Sequence, residues 1–105
     1  MVFIELPLFQ RYLKFTDEEL AAVQEDILED PRRGDLIPGG RGLRKLRAAI
    51  ARRGKRGGAR VIYYVWEERS RCYLIFAYAK NVQGDLTPAQ VKTLAAVMVE
   101  ELDDG

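Results

Sequence analysis

The most regular feature of the chain is a pair of apolar segments, residues 60–66 and 72–80, joined by the polar residues 67–71. Two β-forming runs with a short polar connection between them predict an antiparallel hairpin. Both runs are apolar on both faces over much of their length, as is typical of strands in the middle of a sheet that is covered on both sides. Because antiparallel strands run in opposite directions, the hairpin would place Arg60 and Lys80 next to each other at one end of the sheet.

Two other segments carry the signals of helix starts. Thr16 is followed three positions later by Glu19, which is a capping box, and apolar residues then recur at helical spacing until Pro31. The sequence from Thr87 repeats the same start, and its apolar stripe predicts a helix that ends at about Leu102.

The remaining segments predict weaker elements. Residues 1–6 are expected to form a short edge strand, and residues 8–13 a short helix. Residues 34–42 contain four glycines and a proline, and residues 49–58 are rich in glycine and basic residues, so both segments are expected to be loops.

Residues 43–48 alternate well enough to form a further strand, in which Lys45 and Arg47 project from the same face. The predicted order of elements is then β-α-α-β-β-β-α. This order is typical of a single α+β domain, here residues 1–105, in which a mostly antiparallel sheet carries N-terminal helices and a C-terminal helix packed on it.

Charge is distributed unevenly along the chain, although the net charge is only +1. Residues 17–30 contain seven acidic residues and no basic one, whereas residues 39–60 contain nine basic residues and no acidic one. Unopposed positive charge of this density, on a glycine-rich segment that runs into a strand, predicts a binding site for a polyanion.

The amino-acid composition excludes several kinds of catalytic and metal site. Histidine is absent, so imidazole-based catalysis and the common zinc sites are excluded, and any catalysis would use arginine, lysine, tyrosine or hydroxyl groups without a metal. The single cysteine, Cys72, lies in a strand-like run and is expected to be an ordinary buried thiol. The apolar runs are far shorter than the ~18 residues of a membrane span, and no signal-peptide pattern opens the chain, so we expect a cytoplasmic protein.

Several stretches of this sequence resemble the RelE superfamily of bacterial toxins, and specifically its HigB-like branch. The run from Gly54 to Tyr64 is the most specific of them, and the full set comprises residues 43–47, 53–64, 78–81 and 85–88. The resemblance implies the toxin of a type II toxin–antitoxin system, which enters the ribosomal A site and cleaves messenger RNA. It also implies a cognate antitoxin, expected to be a helix-turn-helix protein, with operator DNA bound only through the toxin–antitoxin complex. No cofactor and no metal are implied.

Carried over by position, the resemblance places the paired basic residues of the family's second strand at Lys45 and Arg47, and the arginine that opens the third strand at Arg60. Lys80 matches the basic residue at the end of the fourth strand. Asn81 stands where RelE has an arginine, and no tyrosine clearly matches the one that RelE carries further along the chain.

These four residues suggest a mechanism in which the ribose 2′-hydroxyl attacks the adjacent phosphorus. Arg47 and Arg60 suit the phosphate, because guanidinium groups are permanently charged and bidentate. Lys45 is the candidate base, since neighbouring arginines disfavour its charged form, and Lys80 would assist the leaving group or the phosphate. Binding to RNA or the ribosome is expected from six basic residues and two tyrosines that could stack on a base: Arg41, Arg44, Arg52, Arg53, Lys55, Arg56, Tyr63 and Tyr78.

Two other functions stay open from the sequence. A ParE-like toxin would share the fold but poison DNA gyrase, and it would need no nuclease residues. An RNA-binding module without catalysis would use the same basic block. The basic pair at Lys45 and Arg47 favours the ribonuclease.

Overall fold

A five-stranded sheet with a long helix on each face makes up the part of the chain described by this computed structural model, residues 1–50 and 58–104. The strands are β1 (Val2–Glu5), β2 (Asp35–Leu36), β3 (Arg44–Ala48), β4 (Ala59–Trp66) and β5 (Arg71–Ala79), and the helices are α1 (Asp17–Glu29) and α2 (Pro88–Asp104). The strands lie in the order β1-β5-β4-β3-β2. Only β1 and β5 pair in parallel. The predicted α+β class with a mostly antiparallel sheet is confirmed.

The hairpin of β4 and β5 forms the centre of the sheet, as the apolar pattern predicts. Its turn contains a short 3₁₀ helix, Glu67–Arg69, followed by Ser70 in a left-handed conformation with φ of 48°. The register pairs Ile62 with Phe76 and Tyr63 with Leu74, so that Ile75 is an extra residue in β5. Such a bulge bends the strand and increases its twist.

The two faces of the sheet bury separate apolar clusters. On one face, Val23 and Ile27 of α1 pack with sheet residues that include Val61. On the other face, Leu94 and Met98 of α2 pack with sheet residues of the second cluster. This arrangement confirms the prediction that the central strands are covered on both sides, and it explains why they are apolar at successive positions.

Both predicted helix starts are capping boxes in the structure. The Thr16 hydroxyl accepts a hydrogen bond from the Glu19 amide at 3.1 Å, and the Glu19 carboxylate accepts one from the Thr16 amide at 2.9 Å. Thr87 and Gln90 form the same pair of contacts at the start of α2. These contacts satisfy backbone N–H groups that have no partner within a helix.

Thr16→Ala should lower the free energy of unfolding by about 1 kcal/mol, because the amide of Glu19 loses its acceptor. Thermal unfolding should show a decrease in melting temperature of about 4 °C. Thr16→Ser keeps the hydroxyl and is the matched control, which should unfold close to the wild-type temperature. Equal melting temperatures for the alanine and serine variants would show that the cap does not stabilise α1.

Two of the weaker predictions are wrong. Residues 8–13 form turns rather than a helix, with the Phe9 amide bonded to the Leu6 carbonyl. A segment this short cannot offset the cost of helix nucleation, and burial of Phe9 and Leu13 in the core holds it instead. Residues 34–42 are not entirely a loop, because β2 pairs with β3 and so covers backbone groups that would otherwise form an open edge.

No helix in the described ranges combines the length and the apolar character that crossing a membrane requires.

Candidate active site

A row of basic and aromatic side chains crosses the end of the sheet on the face that packs against α2. Arg47 on β3 lies directly opposite Arg60 on β4, and Arg60 lies directly opposite Tyr78 on β5. Residues that face each other across strands have their β-carbons about 4.5–5.5 Å apart, and like charges in such a pair are destabilising. The positive charges of Arg47 and Arg60 therefore repel each other, and a bound anion would reduce this repulsion.

Two lysines flank this row on the same face. Lys45 lies two positions before Arg47 on β3, and Lys80 lies two positions beyond Tyr78 at the end of β5. Alternate residues of a strand project from the same face, so Lys45 and Arg47 project together as predicted. The Lys80 amide donates a hydrogen bond to the Gly58 carbonyl at 3.0 Å, which places Lys80 beside the start of β4. The prediction that Arg60 and Lys80 lie at the same end of the hairpin is confirmed.

Arg60 is the deepest of these cations. Its residue is only 9% exposed, and one guanidinium nitrogen donates a hydrogen bond to the neighbouring Ala59 carbonyl at 3.1 Å. By contrast, Arg47 is exposed, and Lys45 and Lys80 are half-buried. A buried guanidinium has few conformations to lose when it binds a phosphate, whereas exposed Arg47 can move to meet the ligand.

The connection from β5 to α2 is held against the cluster by both lysines. Lys80 Nζ donates to the Gly84 carbonyl, and Lys45 Nζ lies 3.1 Å from Asp85 Oδ1. The Leu86 amide donates to the same Asp85 oxygen at 2.8 Å. Asp85 thus joins the candidate site, although sequence reasoning gave it no role. The sequence pattern that pointed to this position was its place between the predicted end of β5 and the predicted capping box at Thr87.

The Asp85 carboxylate is ionised at neutral pH. The hydrogen bond from Lys45 is the largest cause that lowers the pKa of Asp85 below its usual value, followed by the hydrogen bond from the Leu86 amide. The Asp85 side chain is 67% exposed and the Lys45 side chain 29% exposed, so the pair lies at the mouth of the site. The Lys45 amino group, which was expected to act as the base, is therefore occupied by a carboxylate at the mouth of the site.

A cleft of about 700 Å³ opens beside the Lys45–Asp85 pair. It lies between the segment that follows β2 and the first turns of α2, and its charged side chains include Arg41 and Lys92. A cleft of this size exceeds what a single phosphate needs. Arg41 is exposed in this cleft, and its contact with RNA backbone stays a prediction.

The structure corrects the predicted stacking roles of two tyrosines. Tyr63 is 0% exposed, and its hydroxyl donates to the Pro31 carbonyl and accepts from the Gly34 amide, both at 2.9 Å. Tyr78 is 4% exposed. Neither ring can stack on a base, because the helices and turns cover both faces of the central strands.

The Tyr78 hydroxyl nonetheless belongs to the site. It is buried, and no partner among the described residues lies within 3.5 Å in hydrogen-bond geometry, although a longer hydrogen bond with Asp85 is one of the causes that raise its pKa. Burial is the main cause that raises the pKa of the Tyr78 phenol, and the negative charge of Asp85 adds to the effect while Arg60 opposes it. Tyr78 is therefore neutral at physiological pH, and both Arg60 and Asp85 lie near enough to affect its pKa.

The other predicted RNA-binding residues separate from this cluster. Arg44 pairs with Tyr63 on the opposite face, and its guanidinium donates to the carbonyls of Arg32 at 3.2 Å and Gly34 at 2.7 Å. These contacts connect β3 to the segment after α1 and give Arg44 a structural role, while its contact with RNA stays a prediction. The remaining four predictions lie outside the described residues: Arg52, Arg53, Lys55 and Arg56.

Cys72 is fully buried on the α1 face, as expected of a structural thiol. Burial raises the pKa of its thiol to about 12, so it stays protonated and unreactive at neutral pH.

Within residues 1–50 and 58–104, no three histidine, cysteine, aspartate or glutamate side chains are grouped in a way that could hold a metal ion.

Comparison with known proteins agrees with this architecture. The model of the family described as the RelE toxin of the RelE / RelB toxin-antitoxin system matches residues 5–103. A solved structure of E. coli toxin RelE in the free state, a mutant with two arginines replaced by alanine, has a TM-score of 0.54 and 16% sequence identity. That match covers 93% of this chain and 96% of the E. coli chain, and it shows a shared fold. Because the family match extends over nearly the whole sequence, the chain belongs to the RelE toxin family.

Proposed function

We propose that this protein is a toxin that cleaves messenger RNA on the ribosome without a metal ion. The observation that carries the proposal is the placement of Lys45, Arg47 and Arg60 with Lys80 at one end of one sheet face. Three strands supply these cations, and two of them form a like-charged pair that a phosphodiester would stabilise. A gyrase poison or a simple RNA-binding surface would not require cations to converge in this way.

In the proposed reaction the RNA supplies its own nucleophile. The ribose 2′-oxygen attacks the adjacent phosphorus, the bond from phosphorus to the 5′-oxygen breaks, and a 2′,3′-cyclic phosphate and a 5′-hydroxyl end result. Arg60 and Arg47 would hold the non-bridging oxygens and stabilise the charge that develops on them. Lys80 would give a proton to the departing 5′-oxygen or help to hold the phosphate. This chemistry requires oriented cations rather than a metal or histidine.

The partners follow from the same proposal. A toxin that acts on translating ribosomes belongs in the cytoplasm and needs a cognate antitoxin that blocks its basic face. We propose a helix-turn-helix antitoxin, with operator DNA bound only through the toxin–antitoxin complex. We retain the HigB-like branch as a prediction, because the matched family model describes RelE toxins in general.

The proposal is tested by adding purified protein to ribosomes that hold a defined messenger RNA, with the same RNA free in solution as the control. We expect cleavage of the ribosome-bound RNA, and a much lower rate for free RNA. Intact messenger RNA together with trapped gyrase–DNA complexes would indicate the gyrase poison. Salt-sensitive ribosome binding with no cleavage would indicate a non-catalytic RNA-binding module.

A further inference from the structure

We propose that Asp85 is the general base of this reaction and takes the proton from the attacking 2′-hydroxyl. This inference rests on the proposed ribonuclease function and deepens it. The carboxylate lies at the mouth of the cationic cluster, in direct contact with Lys45. In this arrangement Lys45 binds the phosphate and orients the base, instead of acting as the base itself.

The contacts of Asp85 leave one oxygen available for a substrate. Both hydrogen bonds that the carboxylate accepts, from Lys45 Nζ at 3.1 Å and from the Leu86 amide at 2.8 Å, end on Oδ1. Within the described part of the chain no hydrogen bond of 3.5 Å or less ends on Oδ2, although the Tyr78 hydroxyl lies near enough to the carboxylate for a longer hydrogen bond with Asp85 to help raise the pKa of Tyr78. Oδ1 is held by the Lys45 side chain of β3 and by the Leu86 amide, which precedes the N-cap of α2. These two contacts orient the carboxylate, and therefore Oδ2, before RNA binds. A fixed acceptor beside the phosphate site is what proton abstraction from a neighbouring 2′-hydroxyl requires.

The other candidate bases in the described part of the chain are less suitable. The Lys45 amino group is occupied by its contact with the Asp85 carboxylate. Tyr78 is buried and neutral, and Cys72 is buried on the opposite face with its pKa raised to about 12. Asp35 lies opposite Lys45 on β2, but no hydrogen bond connects its carboxylate with that lysine. Asp85 is therefore the carboxylate tied directly to the cluster.

The proposed step balances in protons and bonds. The 2′-hydroxyl proton moves to Asp85 Oδ2 as the 2′-oxygen forms its bond with phosphorus. The bond to the 5′-oxygen breaks, and that oxygen takes a proton from the Lys80 ammonium group. Asp85 and Lys80 then return to their starting states through exchange with water. The step needs no oxidant, reductant or further reactant.

Three variants separate the assignments in single-turnover cleavage of a ribosome-bound messenger RNA. Asp85→Asn keeps the shape of the side chain but cannot accept a proton, and we expect a loss of about 10²–10⁴-fold in rate. Lys45→Arg keeps the positive charge but cannot act as a base, and it should lose less than about tenfold. Glu68→Gln is the carboxylate control: it neutralises an exposed carboxylate in the turn at the other end of the hairpin, and it should stay within about twofold of wild type.

The dependence of the wild-type rate on pH gives a second, independent reading. The pKa of Asp85 is lowered, so the carboxylate is already deprotonated between about pH 5.5 and 8.5 and the rate should not rise across this range. A lysine base would instead give about a tenfold rise per pH unit. The charged and titratable groups around Asp85 that could alter the profile are Lys45, Lys80, Tyr78, Arg60, Arg41, Lys92 and Asp35.

Each outcome decides one point. An inactive wild type would overturn the proposed function and this inference with it. An active wild type with an Asp85→Asn rate within tenfold of its own would overturn the inference alone, as would a large loss in Lys45→Arg together with a rate that rises with pH. A faster Asp85→Asn enzyme would show that the ion pair restrains Lys45 and would also overturn it. If Asp85→Asn failed to fold, Lys45→Arg and the pH profile would still distinguish the two bases.

Discussion

Arg60→Ala should lower the rate of messenger RNA cleavage on ribosomes by about 10²–10³-fold, as expected when a preorganised donor to a developing oxyanion is lost. Arg60 is the most buried cation of the cluster, and it lies between Arg47 and Tyr78 in the strand register. Its removal leaves the phosphate without the guanidinium that is already held in place. Single-turnover cleavage of a ribosome-bound messenger RNA measures the effect.

Two control variants separate the role of Arg60 from general charge. Arg60→Lys keeps the charge without the bidentate geometry, so its rate should lie between those of wild type and the alanine variant. Arg69→Ala removes an exposed arginine that lies 5.0 Å from the centre of the Trp66 ring, in the turn at the other end of the hairpin, and it should cleave normally. Undiminished cleavage by a folded Arg60→Ala protein would exclude Arg60 from the chemistry.

Tyr63→Ala should destabilise the fold by about 3–5 kcal/mol, because it removes a fully buried aromatic side chain from the core. Tyr63→Phe should cost about 1–3 kcal/mol, since the Pro31 carbonyl and the Gly34 amide both lose the hydroxyl that joins them to the sheet. Denaturant unfolding measures both values. Ribosome cleavage per folded molecule of Tyr63→Phe should match wild type.

Tyr12→Phe is the matched control for the hydroxyl of Tyr63. Tyr12 is 71% exposed, so its loss of a hydroxyl should change the free energy of unfolding by less than about 0.5 kcal/mol. A Tyr63→Phe protein as stable as wild type would show that the two hydrogen bonds of the Tyr63 hydroxyl do not stabilise the fold.

The sequence predicted well those elements whose pattern lies entirely within a short segment of the chain. The hairpin of β4 and β5 combines two apolar runs with a polar turn, and both long helices begin with a capping box that also forms in the structure. From the hairpin, the neighbourhood of Arg60 and Lys80 follows by geometry alone. The part of the cluster formed by Arg60 and Lys80 was therefore predictable from the hairpin, whereas the pairing of Arg47 with Arg60 came from the structure.

The features that the sequence did not reveal depend on contacts between distant segments. Strand β2 has two residues, and it exists because β3 offers an edge to pair with. Lys45 and Asp85 are forty positions apart, so no local pattern shows that they form an ion pair. The alternation in the hairpin separates two faces but does not show which is open, and both are covered at Tyr63 and Tyr78.

The most direct test of the account is cleavage of a ribosome-bound messenger RNA that carries one 2′-deoxy nucleotide at the cleavage position. An otherwise identical RNA with every 2′-hydroxyl in place is the comparison. The account predicts that the complete RNA is cut to a 2′,3′-cyclic phosphate and a 5′-hydroxyl end, and that the 2′-deoxy RNA stays intact at that position. Equal cutting of both RNAs, or products with a 5′-phosphate, would contradict it.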